Sequence, residues 1–441
     1  MAYGTFRLVL TAALFAATTL PSSAADWLTF SADPQRTGWA RGEDVLNAGN
    51  VSKLKLEWSL KVENTAREMY ALTTPVITGG LPTTRGFKEL VFVAGTSDVL
   101  YAIDSDTGKV FWQKQFTIQG QSKQAPHWLC PTSLNATPVI DRATRTIHLV
   151  TSDGFLHSLN VFNGEHRVPP KAFVPPFSKP YSLNLVNNVL YAITGQGCGP
   201  SRNGAFAMDL SAAERPVAEF RSTTTGGAGM WGRAGAAVGF NGRIFAETGD
   251  GPWDPATGKW ADTILGLEPK TLKLADYYTP ANRAWITRKD LDMGCMSPVV
   301  FRFRNRELVA GGGKEGVLYL LDANSLGGAG NRTPLYRSPL ITNEEANFYG
   351  RGFWGALSTW EENDGTRWLY APAHGPPAST VKFPASHGEA PHGSIMAFRI
   401  VEKDGKPFPE PAWMSLDMNV PEPVAIAGGV VFALANGEYV G

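Results

Sequence analysis

Short apolar strands broken by Gly, Asp and Pro turns follow one another along this chain. The clearest pair is Tyr101-Ala102-Ile103-Asp104-Ser105-Asp106-Thr107-Gly108-Lys109-Val110-Phe111-Trp112. An apolar strand runs into an Asp-Thr-Gly turn, and a second short strand ends on a tryptophan. This pattern predicts the outer hairpin of a blade whose tryptophan docks on the next blade. Weaker copies recur at His157-Ser158-Leu159-Asn160, Phe206-Ala207-Met208-Asp209, Leu265-Gly266-Leu267-Glu268, Tyr319-Leu320-Leu321-Asp322 and Met396-Ala397-Phe398-Arg399. Their period of about 50–60 residues, longer in the last interval, suits radial sheet repeats and not helical solenoids. Strands of the form x-Pro-Val-x open several blades, at Pro75-Val76, Pro138-Val139 and Pro298-Val299. Proline fits the first residue of a strand, and no segment holds a helical period for three turns. The expected fold is an all-β propeller of four-stranded antiparallel blades, at roughly 72–116, 136–173, 181–221, 235–280, 296–339 and 355–415.

The two ends depart from this regularity. Residues 25–53 form a polar lead-in containing Asp33-Pro34-Gln35-Arg36-Thr37-Gly38, read as loop, and the propeller domain is expected over 54–441. Leu54-Lys55-Leu56-Glu57-Trp58-Ser59-Leu60 alternates like the strand ending at Trp112, and is expected to be an outer strand completing the last blade. Residues 424–434 begin a seventh blade, and the sequence stops at Gly441 just after its second strand. An abandoned blade exposes strand edges, which sheet proteins avoid. The expectation is therefore six full blades plus a partial one, from a C-terminally truncated and eight-bladed parent. A thin seventh blade closed by the N-terminal strand is the alternative.

Composition narrows the class of protein. With 441 residues, 43% of them hydrophobic, the chain can bury a sizeable core. Forty basic and forty acidic side chains cancel, and no block of like charge points to nucleic acid or an anionic membrane. Residues 1–24 have the pattern of a signal peptide: Arg7 is the lone charge, 8–20 are apolar, and Pro21-Ser22-Ser23-Ala24-Ala25 offers small residues for cleavage. Export to a periplasmic or secreted location is expected, with no transmembrane segment in the mature chain. The three cysteines, Cys130, Cys198 and Cys295, form no CxxC or vicinal pair and fix no disulfide framework. Cys130 and Cys198 fall in loops of one face and are open to pairing. His374, His387 and His392 lie in a Pro/Gly-rich insertion, and their loose spacing reads as a solvated loop more readily than as a zinc or copper site.

The repeat Ala102-Ile103-Asp104-x-x-Thr107-Gly108-Lys109-x-x-Trp112 resembles the tryptophan-docking repeat of the quinoprotein family, over nearly the whole mature chain. That family binds pyrroloquinoline quinone (PQQ) on the axis of an eight-bladed propeller. The resemblance implies four site residues. Gly226-Gly227-Ala228-Gly229-Met230-Trp231-Gly232 and Thr248-Gly249-Asp250-Gly251 look like the stretch bearing the floor tryptophan and a calcium-ligating asparagine. Trp231 would stack on the quinone, and Asp250, at the asparagine position, would ligate calcium. Lys289-Asp290-Leu291-Asp292 sits where the family has a Trp-Asp-Tyr-Asp run whose first aspartate is the catalytic base, so Asp290 inherits that role. Gly312-Gly313-Lys314-Glu315-Gly316 resembles the Lys-Asn-Gly segment whose lysine donates to the quinone oxygens.

Two family features are missing. No carboxylate stands near Gly195-Gln196-Gly197-Cys198, where a calcium-ligating glutamate belongs, which implies weak calcium binding. Only Cys130 stands where a vicinal disulfide belongs. The implied function is PQQ- and calcium-dependent oxidation of an alcohol or sugar hydroxyl. Electrons would pass to a separate acceptor, because the chain has no Cys-x-x-Cys-His haem motif. The rival reading is a non-catalytic propeller that serves as a platform for an envelope protein partner. The enzyme reading expects Trp231, Asp250, Asp290 and Lys314 to converge on the axis, and the platform reading expects them scattered over the rim.

Overall fold

A computed structural model describes residues 26–84, 86–200 and 203–437. The expected signal peptide lies outside the described residues. Seven sheets surround a common axis, six of them built on four-stranded antiparallel ladders. The first blade pairs Val76–Thr83, Gly86–Gly95, Val99–Asp104 and Lys109–Gln115 in chain order. The second, third and fifth repeat this simple meander from Val139–Asp141, Asn184–Val186 and Val299–Phe303. The fourth blade inserts a small hairpin, Trp253–Asp254 with Lys259–Trp260, between its second and third strands. The sixth runs through Ser358–Glu361, Arg367–His374, Gly393–Lys403 and Lys406–Met414. Innermost strands begin directly after Pro75, Pro138 and Pro298, where the missing N–H breaks no ladder bond. All the weaker repeat copies fall on third strands.

Burial explains why these strands do not alternate. Val99–Asp104 and Val189–Thr194 are buried at every position, because each blade face packs on a neighbouring blade. The outermost strand Lys109–Gln115 is largely exposed, and its tryptophan makes the lateral contact. Trp112 Nε1 donates to Val161 O of the second blade at 2.8 Å. Its ring lies so close to Gly164 that a Cβ there would meet it at 2.8 Å.

The ends of the chain do more than a lead-in and an outer strand. Residues 27–38 run around the axis and bond an inner strand, or the residue beside it, in each blade. Trp27 pairs with Ile77, Leu28 O accepts from Ile140 N, and Thr29 Oγ1 donates to Leu183 O. Pro34 O, Gln35 O, Thr37 O and Gly38 O then accept from Val238, Val300, Thr359 and Ile426. Arg36 is wholly buried in this hub, donating to the carbonyls of Phe30, Leu183 and Ala236 and to Thr29 Oγ1. Trp39–Ala40 then adds in parallel to Ala425–Ala427, which pairs with Val430–Phe432 to make a three-stranded seventh blade. Residues 54–60 form no strand, contrary to the expectation. Their Trp58 nevertheless docks as Trp112 does, donating from Nε1 to Ser105 O at 2.6 Å over Gly108.

Candidate functional site

The four residues singled out in the sequence meet at one place. Trp231 precedes the innermost strand of the fourth blade and is anchored by its N–H, which donates to Gly294 O at 3.0 Å. Asp250 follows Ile244–Glu247 of the same blade. Asp290 caps the C-terminus of the helix Arg283–Lys289 in a left-handed conformation (φ 56°, ψ 40°), its N–H returning to the carbonyls of Ile286 and Thr287. Lys314 follows the fifth-blade strand Arg306–Gly311. Its Nζ lies 2.6 Å from Asp292 Oδ2 and 3.2 Å from Asp290 Oδ1. The same Nζ stands 5.5 Å from the Trp231 ring centre and 5.3 Å from that of Trp354. Carboxylate oxygens of Asp250, Asp290 and Asp292 all fall within 4.8 Å of one another.

Glycines let the backbone come this close. A Cβ on Gly249 would sit 2.9 Å from Asp292 Oδ1 and 3.0 Å from Trp231 Nε1, and one on Gly195 would sit 2.7 Å from Trp231 Cβ. The Asp250 N–H donates to Asp292 Oδ1 at 2.6 Å, so Asp292 ties the loop of one blade to the lysine of the next. Asp262 braces the helix below, accepting from Thr287 Oγ1 one turn before Asp290.

Charge in this cluster is unevenly shared. Burial works against the Lys314 ammonium, but its acidic neighbours together, Asp292 foremost, outweigh it and raise the lysine's pKa. Burial likewise opposes ionisation of Asp292, and Lys314 together with the hydrogen bonds from the Asp250 N–H and Asp290 outweighs it, so Asp292 is held below the usual carboxylate range. The lysine is then already matched. Asp250 is pushed up to about 7, first by burial and then by the Asp292 charge, and Asp290 is raised by the same two causes. Asp262 also reaches about 7 through burial, against the bond from Thr287. Excess negative charge held on convergent hard oxygens fits a hard cation.

Two participants escaped the sequence reading. Asp292 was quoted beside Asp290 but given no role; the signal was the i, i+2 repeat itself, which could not tell the exposed carboxylate from the buried one. Trp354 carried no signal. Its ring meets Trp231 edge to face at 5.5 Å and stacks on His374 at 5.8 Å. His374 is a buried strand residue and not part of a solvated loop, its pKa lowered to about 4 chiefly by burial. At the place of the missing glutamate, Gly195 lies against Trp231, and Cys198 forms a disulfide with Cys130 across 68 residues of chain. Cys295 is free and buried.

No family model and no curated protein matches the sequence. Solved structures do match. A europium-containing methanol dehydrogenase superposes with a TM-score of 0.64 at 14% identity, over 92% of this chain and 81% of that one. Quinohemoprotein alcohol dehydrogenase from Comamonas testosteroni gives 0.61 at 17% identity, over 93% and 70%. Quinohemoprotein alcohol dehydrogenase ADHIIG from Pseudomonas putida HK5 gives 0.61 at 14%, over 93% and 69%. Identity at this level speaks for architecture and not for chemistry. This chain is a seven-bladed, tryptophan-docked propeller that shares its fold with the methanol and quinohemoprotein alcohol dehydrogenases.

Proposed function

We propose that this protein is an exported quinoprotein dehydrogenase that binds PQQ and a hard cation and oxidises a hydroxyl compound of the alcohol or sugar class. One observation carries the reading: Trp231, Asp250, Asp290 and Lys314, drawn from separate segments of two blades, converge on one cluster. The residues present fit both groups. An indole bounded by glycine backbone offers a flat surface to a flat conjugated ring. Three carboxylates against one lysine leave negative charge for a cation, either calcium or a lanthanide like the europium of the methanol dehydrogenase named above.

When bound, the quinone supplies the hydride acceptor and the cation polarises its carbonyl. Everything else falls to the chain. Trp231 orients the ring plane. Lys314 would give up its bonds to Asp290 to offer ammonium protons to quinone oxygens, keeping Asp292 as its counter-charge. Asp250 contributes a charged ligand oxygen. Asp290, whose side chain is 49% exposed against 4% for Asp292, is the carboxylate a substrate hydroxyl reaches. Its raised pKa suits a group that must take up that proton. Electrons would then leave to a separate acceptor.

The test is reconstitution of the mature protein with PQQ and either calcium or a lanthanide, followed by quinone absorbance and by dye reduction across alcohols and sugars. Uptake at micromolar PQQ is expected. Asp290→Asn should keep that uptake and lower turnover by at least about a thousandfold, while undiminished dye reduction would reassign the base. Absence of uptake would end the enzyme reading and leave a platform.

A further inference from the structure

Asp262 stands outside the aspartate cluster but touches every segment that carries it. It is fully buried, in a left-handed conformation (φ 48°) that Asp and Asn adopt more readily than most residues. Its Oδ2 accepts from Thr287 Oγ1, and the Asp290 N–H donates to the carbonyl of that threonine at 3.2 Å. Its Oδ1 accepts from the Met293 N–H at 3.4 Å, directly after Asp292. Its own N–H donates to Gly249 O at 2.9 Å, directly before Asp250. One residue thus reaches the neighbours of all three aspartates. The extra hairpin of the fourth blade makes this possible. In the first blade a short turn joins Gly95 to Val99, whereas here the chain runs out through Trp253–Asp254 and Lys259–Trp260 and returns at Asp262. Burial and the Asp292 and Asp250 charges all oppose a carboxylate at this position. What it supplies is a pair of acceptor oxygens aimed at donors from both ends of one loop.

We propose that Asp262 is the positioning residue of the cation site, fixing the separation of Asp250, Asp290 and Asp292 before any cation arrives. The inference rests on reading that cluster as a cation site. Oxygens that ligate one calcium-sized ion at about 2.3–2.6 Å lie at most about 5 Å apart. The three carboxylates already meet that limit, within 4.8 Å of one another, although their charges repel. Lys314 bridges Asp290 and Asp292 by charge, and Asp262 holds the backbone on either side of them. With the backbone fixed, little ordering of the ligands is left for the cation to impose. Asn at this position would keep the left-handed backbone but offers one acceptor, so one of the two donors would lose its partner. Removing the Thr287 hydroxyl instead opens the clamp and leaves every charge in place.

Terbium(III) is the probe, with PQQ left out. Its luminescence is excited through tryptophan, since Trp231 and Asp292 both flank Gly249. The wild-type protein should bind terbium at micromolar concentration. Asp262→Asn and Thr287→Val should each weaken binding at least about tenfold. Luminescence lifetimes compared between light and heavy water should show about one more water on the ion in both variants. Thr287→Ser, which restores the hydroxyl, should stay within about twofold of the wild type. The proposal fails if Thr287→Val binds terbium with wild-type affinity and hydration, because a loss confined to Asp262→Asn would be one of charge alone. It fails too if Thr287→Ser is as weak as Thr287→Val. No terbium uptake by the wild type would end the cation reading itself, and this inference with it. Uptake unchanged in all three variants would end the inference and leave the cation reading standing.

Discussion

Lys314 and Asp292 show how a site residue can be invisible one at a time. Each is a charged side chain with about 5% exposure, and each makes the other's charge tolerable in the interior. Asp250 beside them is raised from an ordinary 3.8 to about 7, first by burial and then by the Asp292 charge, which Lys314 only partly offsets. The sign of the pH effect follows. Between those two values the folded, cation-free protein holds a proton that the unfolded chain releases, so this group favours folding at acid pH and the effect is lost as pH rises through about 7. A cation must displace the same proton. Calcium or lanthanide affinity should therefore fall about tenfold per unit below pH 6.5 and level off above 8, measured by calorimetry. Asp250→Asn should flatten that dependence while weakening binding; a slope unchanged in the variant would move the titrating group elsewhere. From the sequence, Trp231, Asp250, Asp290 and Lys314 were legible because the segments around them resemble those of the quinoprotein family. Trp354 and the division of labour between Asp290 and Asp292 were not, since both depend on which side of a loop faces the interior.

Among the elements, the outer hairpin with its docking tryptophan was the most legible, because turn chemistry and strand length are local. Docking depends on glycine at a fixed place: Gly108 and Gly164 have left-handed φ of 63° and 70°, and each lies under an indole. Trp112→Ala should lower stability by about 3 kcal/mol in urea unfolding, the lower end for losing a tryptophan that is only partly buried. Trp58→Ala should cost less, because the segment around it is tied into no ladder. Equal losses would mean that residues 54–60 are already a full strand of the ring. That segment was misread as a strand because apolar alternation records which faces can be buried, and a ladder needs a partner that the alternation does not supply.

For the whole molecule, the hub decides how the ring is held. Arg36 is fully buried, its pKa brought down to about 9 by burial against the pull of Asp33, and it satisfies carbonyls from the third and fourth blades. Arg36→Ala would strand several of these acceptors at once. A loss of at least about 3 kcal/mol is expected, with the blades unfolding as one transition. Arg36→Met, which fills the space without donors, should recover little of it; full recovery would show that the hub needs only volume. No described helix is long and apolar enough to cross a membrane.

Sequence alone determined the repeat, because strand length and turn composition are properties of neighbours along the chain, and its resemblance to the quinoprotein family pointed to four residues to watch. Tertiary structure alone decided that residues 27–38 lace the seven inner strands, that Cys130 meets Cys198, and that Asp292 and Trp354 complete the cluster. Those contacts join residues tens to hundreds of positions apart. Only closure of the sheets around an axis sets such distances, and no local pattern of apolar and polar side chains encodes them.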